Sequence, residues 1–228
     1  MKVKILLILM CSILFLQNCA PTLKIKAVPS QEQKIGYQET ITYQKKHFVS
    51  LAPYPELEVA KDKTMFMLGI KNCGKEPINI SNDNISVIFE DKSKKGASKE
   101  IIVQSFDDFM NDLKKEFFNY EKKYINSVLE NITVEASSSN SNSVEVKLDD
   151  LKNGIKEIRE HNQMIQEWLQ KFVMKPQSIL PGNTFNGIVV CDTRDMNSKA
   201  EGIFQVAVSI DDEVYKFTFK RGLLNSKQ

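Results

Sequence analysis

The residues that could perform acid–base or metal chemistry are few and far apart in this 228-residue sequence. Neighbouring carboxylates occur three times: Asp107 with Asp108, Asp149 with Asp150, and Asp211 with Asp212. The pattern places these pairs at helix starts and at a turn, where acids have structural reasons to occur. The two histidines, His47 and His161, have no Cys, Asp or Glu set around them at metal-ligand spacing. We therefore expect no catalytic residues, no metal site and no cofactor.

Thiol chemistry has a better candidate in Cys19, because of the residues that precede it. The chain starts with Lys2 and Lys4, continues with an apolar run from Ile5 to Leu16 and then turns polar, which is the order of an export signal. The run is shorter than the roughly 20 apolar residues that a membrane-spanning helix needs. The sequence therefore predicts a cleaved signal peptide over residues 1–18.

Cys19 lies three residues after Leu16, and this spacing resembles the lipobox of bacterial lipoproteins. The resemblance implies that Cys19 is lipidated, becomes the mature N-terminus and anchors the protein to a membrane of the cell envelope. Asn18 stands where the lipobox usually has Gly, Ala or Ser. The alternative is an ordinary secretory signal cut at a small residue such as Ala20, which would leave a soluble protein. The absence of Asp directly after Cys19 resembles lipoproteins that are passed to the outer membrane.

Charge argues against a nucleic-acid partner. The chain has 31 basic and 29 acidic residues, and removal of Lys2 and Lys4 with the signal peptide leaves 29 of each. A protein that binds DNA or RNA needs an excess of Lys and Arg to release counterions from phosphate. We expect no nucleic-acid partner.

The rest of the chain divides into a tether, a body in two parts and an insertion. Residues 19–45 are polar, include Pro21 and Pro29 and have no sustained apolar period, so they are predicted to form a lipidated tether. Residues 46–104 and 175–222 show the period-two alternation of strands, clearest at Thr64–Asn72 and Gly202–Ile210. Residues 223–228 form a C-terminal tail.

The insertion, residues 105–174, has a helical period instead. Apolar residues fall at steps of three and four in two stripes: Phe106, Met110, Leu113, Phe117, Tyr120 and Tyr124, then Leu148, Leu151, Ile155, Ile158, Asn162, Ile165, Leu169 and Phe172. A Ser- and Asn-rich stretch separates them, so residues 133–146 are predicted to be a mobile loop. Two stripes joined by such a loop predict a long antiparallel helical hairpin.

The fold class is therefore predicted to be α+β. Strands on both sides of the insertion are too few to make separate cores, so we expect the two parts to meet in one antiparallel β-sandwich. This pattern resembles the immunoglobulin-like domains of bacterial envelope lipoproteins, over about residues 48–221 without the hairpin.

The resemblance implies that the strand Thr64–Asn72 pairs antiparallel with Phe185–Val190. Cys73 and Cys191 would then lie at opposite ends of the pair, more than about 15 Å apart, whereas a disulfide needs Cα atoms within about 7 Å. A disulfide in an oxidising compartment is the alternative. We expect two free thiols.

The insertion carries more aromatic residues than a two-helix seam needs, which favours a partner-binding role. The candidate contact residues are Phe109, Phe118, Asn162 and Trp168. Two of them have alternatives: Asn162 could be a polar residue that fixes the register of the seam, and Trp168 could cover the base of the hairpin.

We expect a non-catalytic envelope lipoprotein that presents its hairpin to another envelope protein. The alternatives are a surface-exposed adhesin or antigen that binds host material, and a carrier that holds a small ligand between sandwich and hairpin.

Overall fold

The computed structural model describes residues 23–28, 30, 33–36, 39–55, 60, 62–93, 97–136, 141–197 and 200–223. The predicted signal peptide, Cys19 and residues 224–228 of the predicted tail lie outside the described residues.

The described residues form twelve strands and two long helices. In chain order these are β1 Leu23–Ala27, β2 Lys34–Ile35, β3 Ile41–Gln44, β4 Phe48–Tyr54, β5 Lys63–Lys71, β6 Ile78–Ile80, β7 Ile85–Asp91, β8 Ser98–Ile101, α1 Phe106–Ala136, α2 Ser141–Phe172, β9 Gln177–Ile179, β10 Thr184–Asp192, β11 Gly202–Ile210 and β12 Glu213–Leu223. The mixed class of helices and antiparallel strands agrees with the prediction.

Two five-stranded antiparallel sheets carry the core. The first sheet has the order β1-β12-β11-β7-β8, and the second sheet has the order β10-β5-β4-β3-β2. Strands β6 and β9 form a small third sheet. The first and second sheets share one apolar core, in which the ring of Phe66 from β5 lies 6.0 Å from Phe204 and 5.1 Å from Phe219. Strands from both sides of the insertion therefore complete one body.

The predicted pairing of β5 with β10 is confirmed. All nine residues of each strand are in register, from Lys71 opposite Thr184 to Lys63 opposite Asp192. Strand β4 pairs along the other side of β5 and contains Pro53. It is internal from Phe48 to Leu51, where β3 pairs with it. Pro53 lies beyond the end of β3, so its missing N–H leaves no ladder position unfilled.

The predicted tether at residues 19–45 is corrected by the structure. Strand β1 pairs with β12 over five residues, and β3 adds to the second sheet. The side chains of Ile41 and Tyr43 are buried in the shared core. These strands are short and flanked by polar residues, so their apolar period is too brief to be recognised locally. Their partners lie far along the chain, and the folded body begins at residue 23 rather than 46.

The helical hairpin is longer than predicted. Ser105 caps α1, since its Oγ accepts a hydrogen bond from the Asp108 amide at 3.1 Å. The helices run antiparallel, because Glu121 of α1 bonds Arg159 of α2 (Oε1–Nε 3.1 Å) and the Tyr124 hydroxyl lies against Gly154. The predicted loop at 133–146 is wrong at both ends, since α1 continues to Ala136 and α2 begins at Ser141. Residues 137–140 lie outside the described part of the chain.

The hairpin leaves the body at one end of the second sheet. Its last residues reach the middle of β10, where Val173 forms a bridge with Ile188. Further along α1, Asp112 contacts Lys63, the first residue of β5. Helix α1 therefore runs toward the end of the second sheet at which β5 begins. The roughly 19 residues of α1 beyond Phe117 continue past this end of the sheet for about 28 Å.

We predict that Gly202→Ala lowers the free energy of unfolding by about 1–3 kcal/mol, because an added Cβ must displace backbone in a packed site. A Cβ at Gly202 would lie 2.2 Å from the carbonyl oxygen of Glu90 in β7. Gly222→Ala is the matched control in the neighbouring strand, since the nearest atoms to its Cβ are 3.9 Å away. Its expected change is within about 0.5 kcal/mol. Equal urea midpoints for the two variants would contradict the close contact between β7 and β11.

Candidate functional site

The base of the hairpin packs on the outer face of the second sheet. Alternate residues of β5 point to opposite sides, so Phe66 and Leu68 enter the shared core while Met65 and Met67 face the helices. We call the resulting apolar contact the hairpin junction; its main members are Ala60, Met65, Phe109, Met110, Leu113, Phe117, Leu169, Val173, Ile188 and Val190. Strand β5 is thereby covered on both faces. The junction fixes where the helices leave the body.

Phe109 belongs to this junction and not to a free surface. Its side chain is 1 % exposed and packs between the helices and the sheet. The proposal that Phe109 contacts a partner is therefore corrected. A helical stripe shows which residues are apolar, but it does not show that a sheet covers them.

A cluster of charged side chains borders the junction at the end of the second sheet where the helices leave the body. Lys63 is nearly buried, and its Nζ lies 3.4 Å from Asp62, 3.3 Å from Asp112 and 3.2 Å from Asp192. Arg194 adds a second cation, with its Nε 3.0 Å from Oδ1 of Asp192 and its Nη2 3.3 Å from Asp112. We call these five residues the ion cluster. Their positions in three separate segments hid the cluster from sequence analysis, although Lys63 at the start of an apolar strand was a visible signal.

The ion cluster lowers the pKa of two of its carboxylates, Asp112 and Asp192. Burial alone would raise the pKa of Asp192, but hydrogen bonds from Arg194 and the charge of Lys63 outweigh it and lower the pKa to about 2. The pKa of Asp112 is lowered first by the hydrogen bond that Gln104 Nε2 donates to its Oδ2 at 2.9 Å, and then by Lys63. Because Asp112 belongs to α1 and Asp192 to β10, these interactions tie the hairpin to the sheet.

Two cavities lie beside the hairpin, and they differ in size. The cavity next to the ion cluster has a volume of about 170 Å³ and is lined mainly by polar and charged residues. Sites for drug-sized ligands usually measure about 300–1,000 Å³ and are mostly apolar. A groove of about 590 Å³ lies between the end of α2 and β9, and its lining includes Lys171, Lys175 and Gln177.

The part of the hairpin near and beyond the junction exposes large apolar side chains. Phe118 is 68 % exposed, Met164 is 61 % exposed and Tyr120 is 58 % exposed. Tyr120 belongs to the apolar stripe predicted for the first helix, yet its side chain is exposed. Phe118 and Met164 lie at nearly the same level along the hairpin, because Glu121 of α1 is opposite Arg159 of α2. We call Phe118, Tyr120 and Met164 the exposed hairpin residues.

Trp168 lies between the junction and this exposed region. Its ring stacks on Tyr54 of β4, with centroids 5.8 Å apart, and contacts Phe172 at 4.9 Å. Trp168 is partly buried and packs against the junction, which favours the alternative that it covers the hairpin base. Asn162 is 9 % exposed, which likewise favours a place inside the seam.

The two cysteines of the body lie at opposite ends of the β5–β10 pair. Cys191 is opposite Thr64, whereas Cys73 follows Lys71 at the other end. Both are free in the structure; Cys73 is exposed and Cys191 is buried. Burial raises the pKa of the Cys191 thiol to about 12.

A second polar cluster lies at the Cys73 end of the body. His47 is buried, and its Nε2 lies 3.2 Å from Oδ2 of Asp211. Asp211 and Asp212 form the predicted turn, with Asp211 at a φ of 51°, and Lys46 also contacts Asp211 at 2.6 Å. These contacts join the two sheets at the turn.

Comparison of the chain with models of protein families, with curated proteins and with solved structures gives no match. Among the described residues, no three His, Cys, Asp or Glu side chains are grouped in a way that could bind a metal ion. Neither described helix has the apolar length that crossing a bilayer requires.

We predict that Asp192→Asn weakens the dependence of stability on acid. Because the folded-state pKa of Asp192 lies below the ordinary value of 3.8, its carboxylate stabilises the fold above about pH 4 and loses this contribution as the pH falls toward 2. The contribution is on the order of 1 kcal/mol after solvent screening. Urea unfolding across this range should show a shallower acid decline for the variant. Asp195→Asn is the control, since that side chain is 87 % exposed, and identical declines for both variants would contradict the prediction.

We predict that a thiol reagent at mildly alkaline pH distinguishes the two cysteines. In a chain that begins at Ala20, which retains only Cys73 and Cys191, Cys73 should react at once. Cys191 should react only when the body opens, because its thiol is buried and protonated. Unfolding without reductant should release two reactive thiols. A count of none would show a disulfide, and simultaneous reaction of both in the native protein would contradict the burial of Cys191.

Proposed function

We propose that the protein is a lipid-anchored, non-catalytic envelope protein that presents its helical hairpin to another envelope protein. The exposed hairpin residues carry this proposal, since Phe118 and Met164 are each more than half exposed. Large apolar side chains in such a position are costly to leave in water and are typical of interface anchors. The body does not need them, because the junction and the shared core are already filled.

The fold within this proposal is an immunoglobulin-like β-sandwich with the hairpin inserted between its two halves. The shared core between two antiparallel sheets and the pairing of β5 with β10 support it. The sandwich serves as a rigid platform, and the hairpin junction with the ion cluster holds the helices at a fixed position on it.

The location in this proposal is the outer membrane, with Cys19 as the site of the lipid. Its support is the sequence alone: the signal-like residues 1–18, the spacing from Leu16 to Cys19 and the absence of Asp after Cys19. The early start of the folded body at Leu23 adds that such an anchor would hold the body close to the membrane.

A carrier role receives less support than a partner-binding role. The space between sheet and hairpin is occupied by the junction, and the cavity beside the ion cluster measures about 170 Å³. The groove of about 590 Å³ at the end of α2 is lined mainly by polar and charged residues, whereas ligand sites are mostly apolar. A small ligand would therefore have to displace packed side chains at the junction or bind in a polar groove.

The partner surface can be tested by photo-crosslinking in cells. A photoreactive amino acid replaces Phe118 in one variant and Met164 in another, and both are expected to give the same specific adduct. Lys75 is the control position, since it is exposed in the turn after β5 and distant from the hairpin. No adduct from the hairpin positions above that from Lys75 would contradict the proposed surface.

A matched substitution distinguishes binding from stability. Phe118→Ser with Met164→Ser should abolish binding of the partner that the crosslinking experiment identifies. The unfolding free energy should change by less than about 0.5 kcal/mol, because both side chains are on the surface. Phe109→Ser is the contrasting variant and should unfold the junction. Full partner recovery with the first variant would refute the role of these residues.

The anchor has its own test. Metabolic labelling with a fatty acid should mark the wild type and not Cys19→Ala, and the variant should leave the membrane fraction. Absence of label from the wild type would end the lipoprotein proposal. Protease treatment of intact cells then distinguishes an adhesin, which would be cut, from a protein that faces the periplasm and is protected.

A further inference from the structure

One face of the body carries a group of exposed lysines. Strands β1 and β12 place four exposed lysines on the outer face of the first sheet: Lys24, Lys26, Lys216 and Lys220. The alternation of β12 fixes their direction, because Phe217 and Phe219 point into the shared core. We call these four residues the basic face.

The positive charges of the basic face lie close together, and carboxylates occur only at its border, where Glu39 accepts a hydrogen bond from the Ala27 amide at 2.9 Å. Lys26 is directly opposite Lys220 in the ladder, an arrangement of like charges that destabilises a strand pair. None of the four lysines forms an ion pair with a described acidic residue. The Glu201 carboxylate lies near Lys220 without pairing with it, since Oε2 of Glu201 and Cε of Lys220 are each 3.9 Å from the position that a Cβ of Gly222 would take.

Protection of a sheet edge accounts for only half of the basic face. Lysines on an edge strand prevent pairing with another chain, which would explain Lys24 and Lys26 on β1. Strand β12 is internal, with β1 on one side and β11 on the other. Solvent exposure explains polar residues at Lys216 and Lys220, but the reason for four charges of the same sign must lie elsewhere.

The position of β1 in the chain supplies that reason. Leu23 begins β1, only four residues after Cys19. Four extended residues span at most about 14 Å. If Cys19 carries lipid, as the proposed function holds, the start of β1 cannot be further than this from the bilayer surface, and the basic face begins within the reach of its electrostatic potential.

The arrangement of the two sheets leaves the hairpin free. The junction covers the outer face of the second sheet through Met65 and Met67, while the basic face is on the outer side of the first sheet. The shared core lies between them. A body that rests on its basic face would thus hold the hairpin on the side away from the lipid.

We propose that the basic face binds the headgroups of anionic phospholipids, so that the body lies flat on the membrane to which its N-terminus is attached. The lysine ammonium groups contact lipid phosphates, and no bond is made or broken. This orientation rests on the proposed anchor, but the affinity of the face for anionic lipid does not.

The test uses a chain that begins at Ala20, which lacks the lipid and retains every described residue. Its sedimentation with vesicles of phosphatidylcholine and phosphatidylglycerol is compared with that on pure phosphatidylcholine, at low and at high salt. Binding is expected on the anionic vesicles at low salt only. Each lysine near such a surface contributes roughly a fivefold factor, so Lys24→Gln, Lys26→Gln and Lys220→Gln together should weaken binding by about 100-fold.

The matched control removes the same charge from the hairpin. Lys114→Gln, Lys122→Gln and Lys171→Gln alter exposed helical lysines and should leave vesicle binding within about twofold of the wild type. Circular dichroism and the unfolding midpoint establish that both triple variants are folded. Equal losses in both variants, no binding by the wild type, or equal binding to neutral vesicles would overturn the proposal. A dimer that the basic-face variant abolishes, without vesicle binding by the wild type, would assign this face to a second copy of the chain.

Failure of this inference is distinguishable from failure of the anchor. Fatty-acid label on Cys19 without vesicle binding by the unlipidated chain would leave the anchor intact and reject the basic face as a lipid contact. Vesicle binding by the unlipidated chain, without fatty-acid label on Cys19, would support the basic face as a lipid contact and reject the anchor.

Discussion

The pairing of β5 with β10 is the contact on which the other features of the molecule depend. It joins a strand before the insertion to a strand after it, over nine residues in each. The inward side chains of this pair, such as Phe66 and Val189, complete the core shared with the first sheet. The outward side chains, such as Met65 and Ile188, form the surface on which the helices pack. Without this pair, neither a common core nor a seat for the hairpin would exist.

The hairpin is held by two kinds of interaction with different roles. Apolar burial at the junction supplies most of the attraction, because it scales with the area removed from water. The ion cluster contributes less, since the cost of burying Lys63 offsets much of the attraction to its three aspartates. Its greater effect is on position: a shift of α1 by one residue would move Asp112 away from Lys63 and leave a buried cation with fewer partners.

The sequence predicted the features that local periodicity determines. Strand β11 and the antiparallel helices were recognised because their patterns extend over many residues, and the β5–β10 pairing followed from the resemblance to a sandwich. Strands β1 and β3 were missed because each is short and is stabilised by partners elsewhere in the fold. The same limit separates Phe109 from Phe118: both are aromatic residues of one helix, and only the position of the second sheet determines that the first is buried and the second exposed. The ion cluster required three segments to be brought together, which no spacing in the chain reveals.

The body therefore has two distinct surfaces on opposite sides. Its helices leave from a fixed seat with exposed apolar residues, and its lysine-rich face lies on the opposite side. The central claim is that the base of the hairpin belongs to the body while the remainder extends freely. Native-state hydrogen exchange measures this most directly. Amides of residues 106–117 and 162–173 should exchange as slowly as those of β5 and β10, and those of residues 120–136 and 141–158 should exchange faster. Exchange of the base as rapid as that of the distal helices, with the sheets still protected, would contradict the account.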